Sequence, residues 1–217
     1  MIKETDARAR FAERFGLAPI VMERLDLYAT LLRKWQKTVN LVGPKTIDSL
    51  WIRHFWDSAQ LLGLSEGRRH WLDLGSGGGF PGLVIAVMLS GNSDAVVQLV
   101  ESDQRKCAFL REVSRETGVR TIVHNCRIET AGDQVSRPVD VVSARALTDL
   151  PRLIRYAQDY LIEGAIALFP KGQDVASELT ACAMDSNLRI ETRMSETDAA
   201  SRIVVVRLAP IAHPSAG

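Results

Sequence analysis

The stretch Trp71-Leu-Asp-Leu-Gly75-Ser-Gly77-Gly78-Gly79-Phe80-Pro81-Gly82 decides how this chain folds. A short apolar strand carrying Asp73 runs into a cluster of glycines, and Pro81 follows where a helix can begin. Glycines allow a sharp strand-to-helix turn and let a ligand approach the main chain without a Cβ in the way. Proline suits the first helical turn, where its missing N–H is not needed. Gly77, Gly79 and Gly82 also satisfy G-x-G-x-x-G, a weak match on its own. No G-x-x-x-x-G-K-[ST] is present, which excludes a P-loop. Asp73, two residues before Gly75, either addresses a ligand or bonds the local N–H groups of the turn.

Downstream of Trp71, short apolar runs alternate with helical stretches. The strands expected are Trp71–Leu74, Val96–Val100, Thr121–His124, Val139–Ser143, Ala165–Phe169, Leu188–Met194 and Arg202–Leu208. Helical patterns lie at Pro81–Ser90, Gln104–Thr117, Asp149–Tyr160 and Asp174–Met184. Regular β-α-β alternation predicts an α/β fold: a seven-stranded, mostly parallel sheet with helices on both faces. Only Ser195 to Ser201 separate the last two strands, so these should form an antiparallel hairpin. His213 to Gly217 reads as a frayed tail.

Upstream, the pattern changes. Val21, Leu25, Tyr28, Leu32 and Trp35 follow helical spacing. A shorter helix with Phe11 and Phe15 on one face stops at Gly16, and Pro19 can open the next. After the Gly43-Pro44 break, Thr46 is placed to cap a third helix. Its inner side would carry Ile47, Leu50, Trp51, His54, Phe55, Ser58, Leu61 and Leu62. On that helix Arg53 and Asp57 would be i,i+4 neighbours able to pair. His54 falls on the apolar stripe, so its pattern reads as a satisfied structural histidine. The chain thus divides into a helical extension over residues 1–70 and a sheet domain over 71–217.

Composition bounds the function. The chain has 217 residues, 27 Lys+Arg against 26 Asp+Glu, 46% hydrophobic and 24% charged residues. That is globular composition with one substantial core, and it argues against collagen, coiled-coil and disordered classes. The longest apolar run, Leu83 to Leu89, falls far short of the roughly 20 residues of a membrane span. The N-terminus has no apolar signal region, so no membrane or secretory role is expected. Three widely spaced cysteines give neither a disulfide framework nor metal-ligand spacing, which points to the cytoplasm and to no bound metal. The net charge of +1 hides an asymmetry: residues 1–70 carry 12 basic against 8 acidic side chains, and 71–217 carry 15 against 18. A small basic surface suits an enzyme that binds RNA and releases it.

Glu101 ends the second expected strand, where an acid in a nucleotide-binding α/β sheet hydrogen-bonds ribose hydroxyls. By itself it suits the adenosine ribose of a NAD enzyme or of a methyltransferase. The run of apolar residue, Asp73, apolar residue and Gly75-x-Gly77-x-Gly79 resembles motif I of the class I S-adenosylmethionine-dependent methyltransferases, whose sheet is Rossmann-like. Further segments are Asn40-Leu41, Arg53-His54-x-x-Asp57-Ser58, Glu101-Ser102-x-x-Arg105-Lys106-x-x-Phe109-Leu110, Arg127-Ile128-Glu129, Asp140-Val-Val-Ser143-Ala-Arg145-Ala146 and Lys171-Gly172. In this order the chain resembles the RsmG family, also called glucose-inhibited division protein B: bacterial guanine-N7 methyltransferases of 16S ribosomal RNA. Two small departures, Glu101 for the usual Asp and Arg105-Lys106 for Lys-Arg, both keep charge.

The resemblance implies S-adenosyl-L-methionine as cofactor and the 16S ribosomal RNA of the small ribosomal subunit as partner, with guanine 527 as the target base; separately, a monomer is the expected acting form. It places Asp73, Gly75, Gly77, Gly79, Phe80 and Glu101 against the donor. Ile128 and Glu129 would frame the adenine, and Arg145 would serve both donor binding and positioning for transfer. Arg53, His54 and Lys171 would face the RNA. Guanine N7 has a lone pair and no proton, so attack on a methyl donor needs no general base. Catalysis then rests on in-line placement and exclusion of water. Ser143-Ala-Arg145-Ala146 stands where amino-group methyltransferases carry Asn/Asp-Pro-Pro-Tyr/Phe. The alternatives are a NAD-dependent oxidoreductase using Gly77, Gly79, Gly82 and Glu101, and a non-catalytic RNA-binding ribosome assembly factor. The first lacks a Tyr-x-x-x-Lys pair at Tyr156 or Tyr160.

Overall fold

A computed structural model describes residues 4–173, 175–182 and 187–209 of the chain. The tail expected at residues 213–217, and the ends of the last expected helix at 174, 183 and 184, lie outside the described residues. The sheet strands are β1 (His70–Leu74), β2 (Val96–Glu101), β3 (Thr121–Asn125), β4 (Val141–Ser143), β5 (Ile166–Lys171), β6 (Leu188–Met194) and β7 (Arg202–Leu208). Their order is β3-β2-β1-β4-β5-β7-β6. The first five run parallel, and β7 lies antiparallel between β5 and β6, as the expected terminal hairpin requires.

Helices α4 (Gly82–Met88), α5 (Gln104–Thr117), α6 (Leu150–Ile162) and α7 (Val175–Cys182) connect the strands. Local chemistry fixes their ends. Asp103 accepts from the backbone N–H groups of Arg105 and Lys106, and α5 stops at Gly118 in the left-handed conformation. Asp149 caps α6 by accepting from Arg152 N. Strand residues alternate between two cores. Trp71, Val97, Leu99, Val141 and Leu168 face one, while Leu72, Leu74, Val100, Val142 and Phe169 face the other.

The first core continues without a break into the N-terminal helices α1 (Glu4–Phe15) and α2 (Pro19–Trp35). Phe11, Leu25, Tyr28, Leu32 and Phe55 are fully buried in the same cluster as Trp71 and Leu83. Residue 70 therefore marks a change of chain pattern and not a gap in packing. The contact is also polar: Tyr28 donates to the carbonyl of Gly78 at 2.5 Å, and its ring stacks on Phe80 at 5.4 Å. Tyr28→Phe leaves that buried carbonyl without its donor and should cost about 1–3 kcal/mol of stability. Urea unfolding checks it; an unchanged midpoint would mean the hydroxyl supports nothing.

The third N-terminal helix differs from expectation. In place of one α-helix capped by Thr46, residues 44–64 form a 3₁₀ turn (Pro44–Ser49), a π-helical turn (Trp51–Trp56), a short α turn α3 (Asp57–Ala59) and a second 3₁₀ turn (Gln60–Leu64). Thr46 donates back to Gly43 O at 2.7 Å, within the first turn. The apolar spacing still places the buried face, since Leu50, Trp51, His54, Phe55, Ser58 and Leu61 are all buried. Spacings of three and four do not distinguish an α-turn from a π-turn when a tertiary contact sets the backbone. The Arg53–Asp57 pair expected there does not form: Arg53 turns to Asp198 at 3.4 Å and Asp57 to Arg145 at 3.3 Å. Among the described residues no helix is long and apolar enough to cross a membrane.

Candidate functional site

Strand order reverses between β1 and β4, and ligands in open α/β sheets bind at the carboxyl ends beside such a reversal. A cleft of about 850 Å³ opens there. Its floor is the glycine turn, which three residues of positive φ make possible: Gly75 (+67°), Gly77 (+55°) and Gly79 (+89°). Side chains beneath hold the turn in place. Asp73 accepts from Ser143 Oγ at 2.8 Å, across the β1–β4 register, and from Gly82 N at 3.3 Å. Burial pushes its carboxyl up to about 6, offset only in part by those donors.

Three residues of the turn stand away from their expected places. Asp73 is 0% exposed and stands beneath the turn, where its carboxylate organises the backbone. Gly79 also lies off the cleft; a Cβ there would stand 2.6 Å from Tyr28 Oη and 2.5 Å from Leu83. Its glycine serves packing against α2 and α4. Pro81 sits at the cap position one residue before α4 begins, and not inside the first turn.

Gly75, Gly77 and Phe80 do line the cleft, with Glu101, Ile128 and Glu129. Glu101 is buried at the end of β2, where it accepts from Gly77 N at 2.9 Å and Asp103 N at 2.8 Å. The carboxylate thus ties β2 to the turn while facing the cleft. Glu129 is held by Tyr156, whose hydroxyl donates at 2.6 Å and keeps that carboxyl below its ordinary value. Arg152 donates to Tyr156 Oη at 2.9 Å. Both side chains come from α6 and line the same wall.

Arg145 also lines the cleft, two residues past β4, with its side chain 15% exposed. Its Nη1 donates to Arg53 O at 2.9 Å and to Asp57 Oδ2 at 3.3 Å, and Nη2 bonds His54 Nδ1 at 2.6 Å. The guanidinium carbon lies 5.1 Å from the centre of the Phe80 ring. Burial pulls the arginine below its ordinary pKa, opposed mainly by Asp57. His54 is pushed down to about 3 by burial and by the neighbouring Arg145 and Arg53. The folded protein therefore holds a neutral imidazole whose unfolded value is 6.5. A lowered folded value means that this contribution to stability is complete above 6.5 and lost as pH falls toward 3. Across that window the unfolding free energy of the wild type should fall more steeply with acid than that of His54→Asn. Parallel slopes would show that no neutral imidazole is being protected.

The other expected RNA residues behave differently. Arg53 is half-exposed on the rim and pairs with Asp198. Lys171 lines the cleft, but its ammonium bonds Glu178 at 2.7 Å and Thr148 O at 2.9 Å, tying the loop after β4 to α7. That ammonium braces the loop and does not stand free for a phosphate.

The family described as rRNA small subunit methyltransferase G matches residues 21–202, most of the chain. The chain belongs to this family. It is 44% identical to ribosomal RNA small subunit methyltransferase G of Methylorubrum populi, over 93% of this chain and 95% of that one. It is 45% identical to the protein of the same name from Jannaschia sp., over 95% of each. Among solved structures it is similar to a mutant of MtNAS in complex with S-adenosylmethionine, with a TM-score of 0.56, 17% identity, and coverage of 96% of this chain and 85% of that one. That likeness bears on the fold alone. Membership of a methyltransferase family sets aside the oxidoreductase alternative, which had rested on the glycine spacing and Glu101.

Several cleft residues of this family member escape a reading of its sequence. Thr46, Tyr156, Arg152 and Leu147 line the cleft without belonging to any motif. Asp57 was visible as part of Arg53-His54-x-x-Asp57-Ser58, but not as the partner of Arg145. Ser195, Thr197 and Asp198, in the β6–β7 turn, carry no sequence signal at all. They reach the site only because the hairpin folds back onto residues 53–60.

Proposed function

We propose that the protein methylates N7 of one guanine in 16S ribosomal RNA, guanine 527 by family resemblance, with S-adenosyl-L-methionine as donor. The observation that carries this reading is one continuous cleft running from the glycine turn and Glu101 to Arg145. S-adenosylmethionine, when bound, supplies a methyl group on a positively charged sulfur. The residues present fit it: a Cβ on Gly77 would meet nothing nearer than Gly75 O at 3.8 Å, so the backbone is open to a ligand there. Glu101 can accept from ribose hydroxyls while still holding Gly77 N. Ile128 offers an apolar face for adenine, and Glu129 with Tyr156 closes the edge beside it.

The acceptor nitrogen carries no proton, so these residues need only orient two molecules and exclude water. His54 supports this, because both ring nitrogens are already bonded within the protein. Arg145 and Phe80 then shape the place where the guanine meets the methyl group. RNA reaches the cleft across the Arg53 rim, with the target base drawn out of its stack. The protein acts as a monomer in this reading.

The test is methyl transfer from labelled donor into small subunits or 16S ribosomal RNA lacking the modification, followed by mapping of the methylated nucleotide. N7-methylguanine at one position is the expected product. Donor binding without incorporation would favour the assembly-factor reading, and methyl on another atom would overturn the N7 assignment.

A further inference from the structure

We propose that His54 is a positioning residue for methyl transfer, a role that rests on the reaction proposed above. With Asp57 and the Arg53 carbonyl it holds the Arg145 guanidinium in one place at the cleft, and Thr46 behind it fixes the only tautomer that can do so.

Proton bookkeeping settles the tautomer. Arginine has N–H donors and no acceptor, so His54 Nδ1, 2.6 Å from Nη2, must accept. The proton of the neutral ring therefore sits on Nε2. That nitrogen lies 2.7 Å from Thr46 Oγ1, whose single hydroxyl proton is directed to Gly43 O at 2.7 Å. Each donor meets an acceptor along the line from Arg145 through His54 and Thr46 to Gly43. Reversing the imidazole would set two donors against each other at Arg145. Protonating it would do the same.

The other side of the guanidinium is equally fixed. Asp57 presents Oδ2 to Arg145, while its Oδ1 accepts from Gln60 Nε2 at 2.9 Å and Thr197 Oγ1 at 3.0 Å. The π-helical turn places Arg53 O and His54 Nδ1 toward the same guanidinium. Arg145 Nε has no partner among the described residues. One N–H of Nη2 has none either, since three acceptors meet five N–H groups, and the side chain lines the cleft. A long, rotamer-rich side chain is thus immobilised before substrate arrives, with two of its five N–H donors left over. Displacement of such a group by about 1 Å is enough to cost on the order of 100-fold in rate.

A double-mutant cycle on kcat/KM for RNA tests this, with thermal unfolding as the check on folding. His54→Ala should lower kcat/KM about 100-fold in the wild-type background, but less than about threefold when Arg145→Ala is already present. His54→Asn, whose amide oxygen can stand near the place of Nδ1, should recover to within about tenfold of the wild type. Thr46→Val should cost about tenfold, again only while Arg145 is intact. If His54→Ala does not fold, Thr46→Val and its combination with Arg145→Ala decide the matter. Losses that multiply in the double variants would overturn the inference while leaving the reaction intact, as would His54→Ala activity within threefold of wild type. A wild-type protein that transfers no methyl to this RNA would overturn the reaction reading, and the positioning role with it.

Discussion

Gly77→Asp should weaken S-adenosylmethionine binding at least ~100-fold, or ~2.8 kcal/mol, while the protein remains folded. The new Cβ meets no atom closer than 3.8 Å, so the cost to folding is that of a side chain at φ +55°, about 1–2 kcal/mol. The effect on the ligand is larger. Gly77 lines the cleft floor and donates its N–H to Glu101 at 2.9 Å, so an aspartate there fills ligand space and sets a second negative charge beside Glu101. Calorimetric titration with the donor checks it, and affinity within tenfold of wild type would remove the turn from the donor site. Gly82 gives the contrast: a Cβ there would fall on Leu99 and 2.8 Å from the Cβ of buried Asp73, so Gly82→Ala should damage the fold itself.

Arg145→Ala should reduce methyl transfer on the order of 10²–10³-fold. It removes the group that the proposed reading sets beside the acceptor base and leaves three partners behind, the Arg53 carbonyl among them. The Asp57 carboxylate, 18% exposed, loses its cation, and His54 Nδ1 loses its donor. Stability should therefore also fall, by about 1–3 kcal/mol. Arg145→Lys separates the two effects. One ammonium can neutralise Asp57, but it cannot reach Asp57, Arg53 O and His54 Nδ1 in the fixed geometry of the planar fork. It should restore more stability than rate. Labelled-methyl incorporation and thermal unfolding, measured on the same preparations, test both parts; wild-type turnover by Arg145→Ala would take the arginine out of the site.

Motif reading and geometry diverge most at Asp73. As part of the glycine-turn motif it was expected at the donor, yet the structure places it wholly beneath the turn. A motif marks residues that a turn needs, and it does not separate those that touch a ligand from those that hold the backbone. Gly79 makes the same point through packing, against Leu83 and Tyr28. Lys171 does so through charge, since Glu178 lies close enough to occupy its ammonium. Glu101, Gly77 and Ile128, by contrast, stand on the cleft where their strand ends placed them, because parallel strands deliver their carboxyl termini to one edge.

The amino-acid pattern alone determined the α/β alternation, the terminal hairpin, the glycine turn and the family. Each is encoded locally, in apolar period, glycine spacing or an ordered set of short segments. Only the tertiary structure decided what surrounds Arg145. Its partners come from Arg53, His54 and Asp57, which are held in turn by Thr46 and Thr197 across separations of up to 140 residues. No periodicity records such contacts, because they arise from burial of the N-terminal helices against the sheet. Burial also removes water from the guanidinium, and protein partners take three of its five N–H donors. Which of its N–H groups those partners take could be found only once the partners were in place.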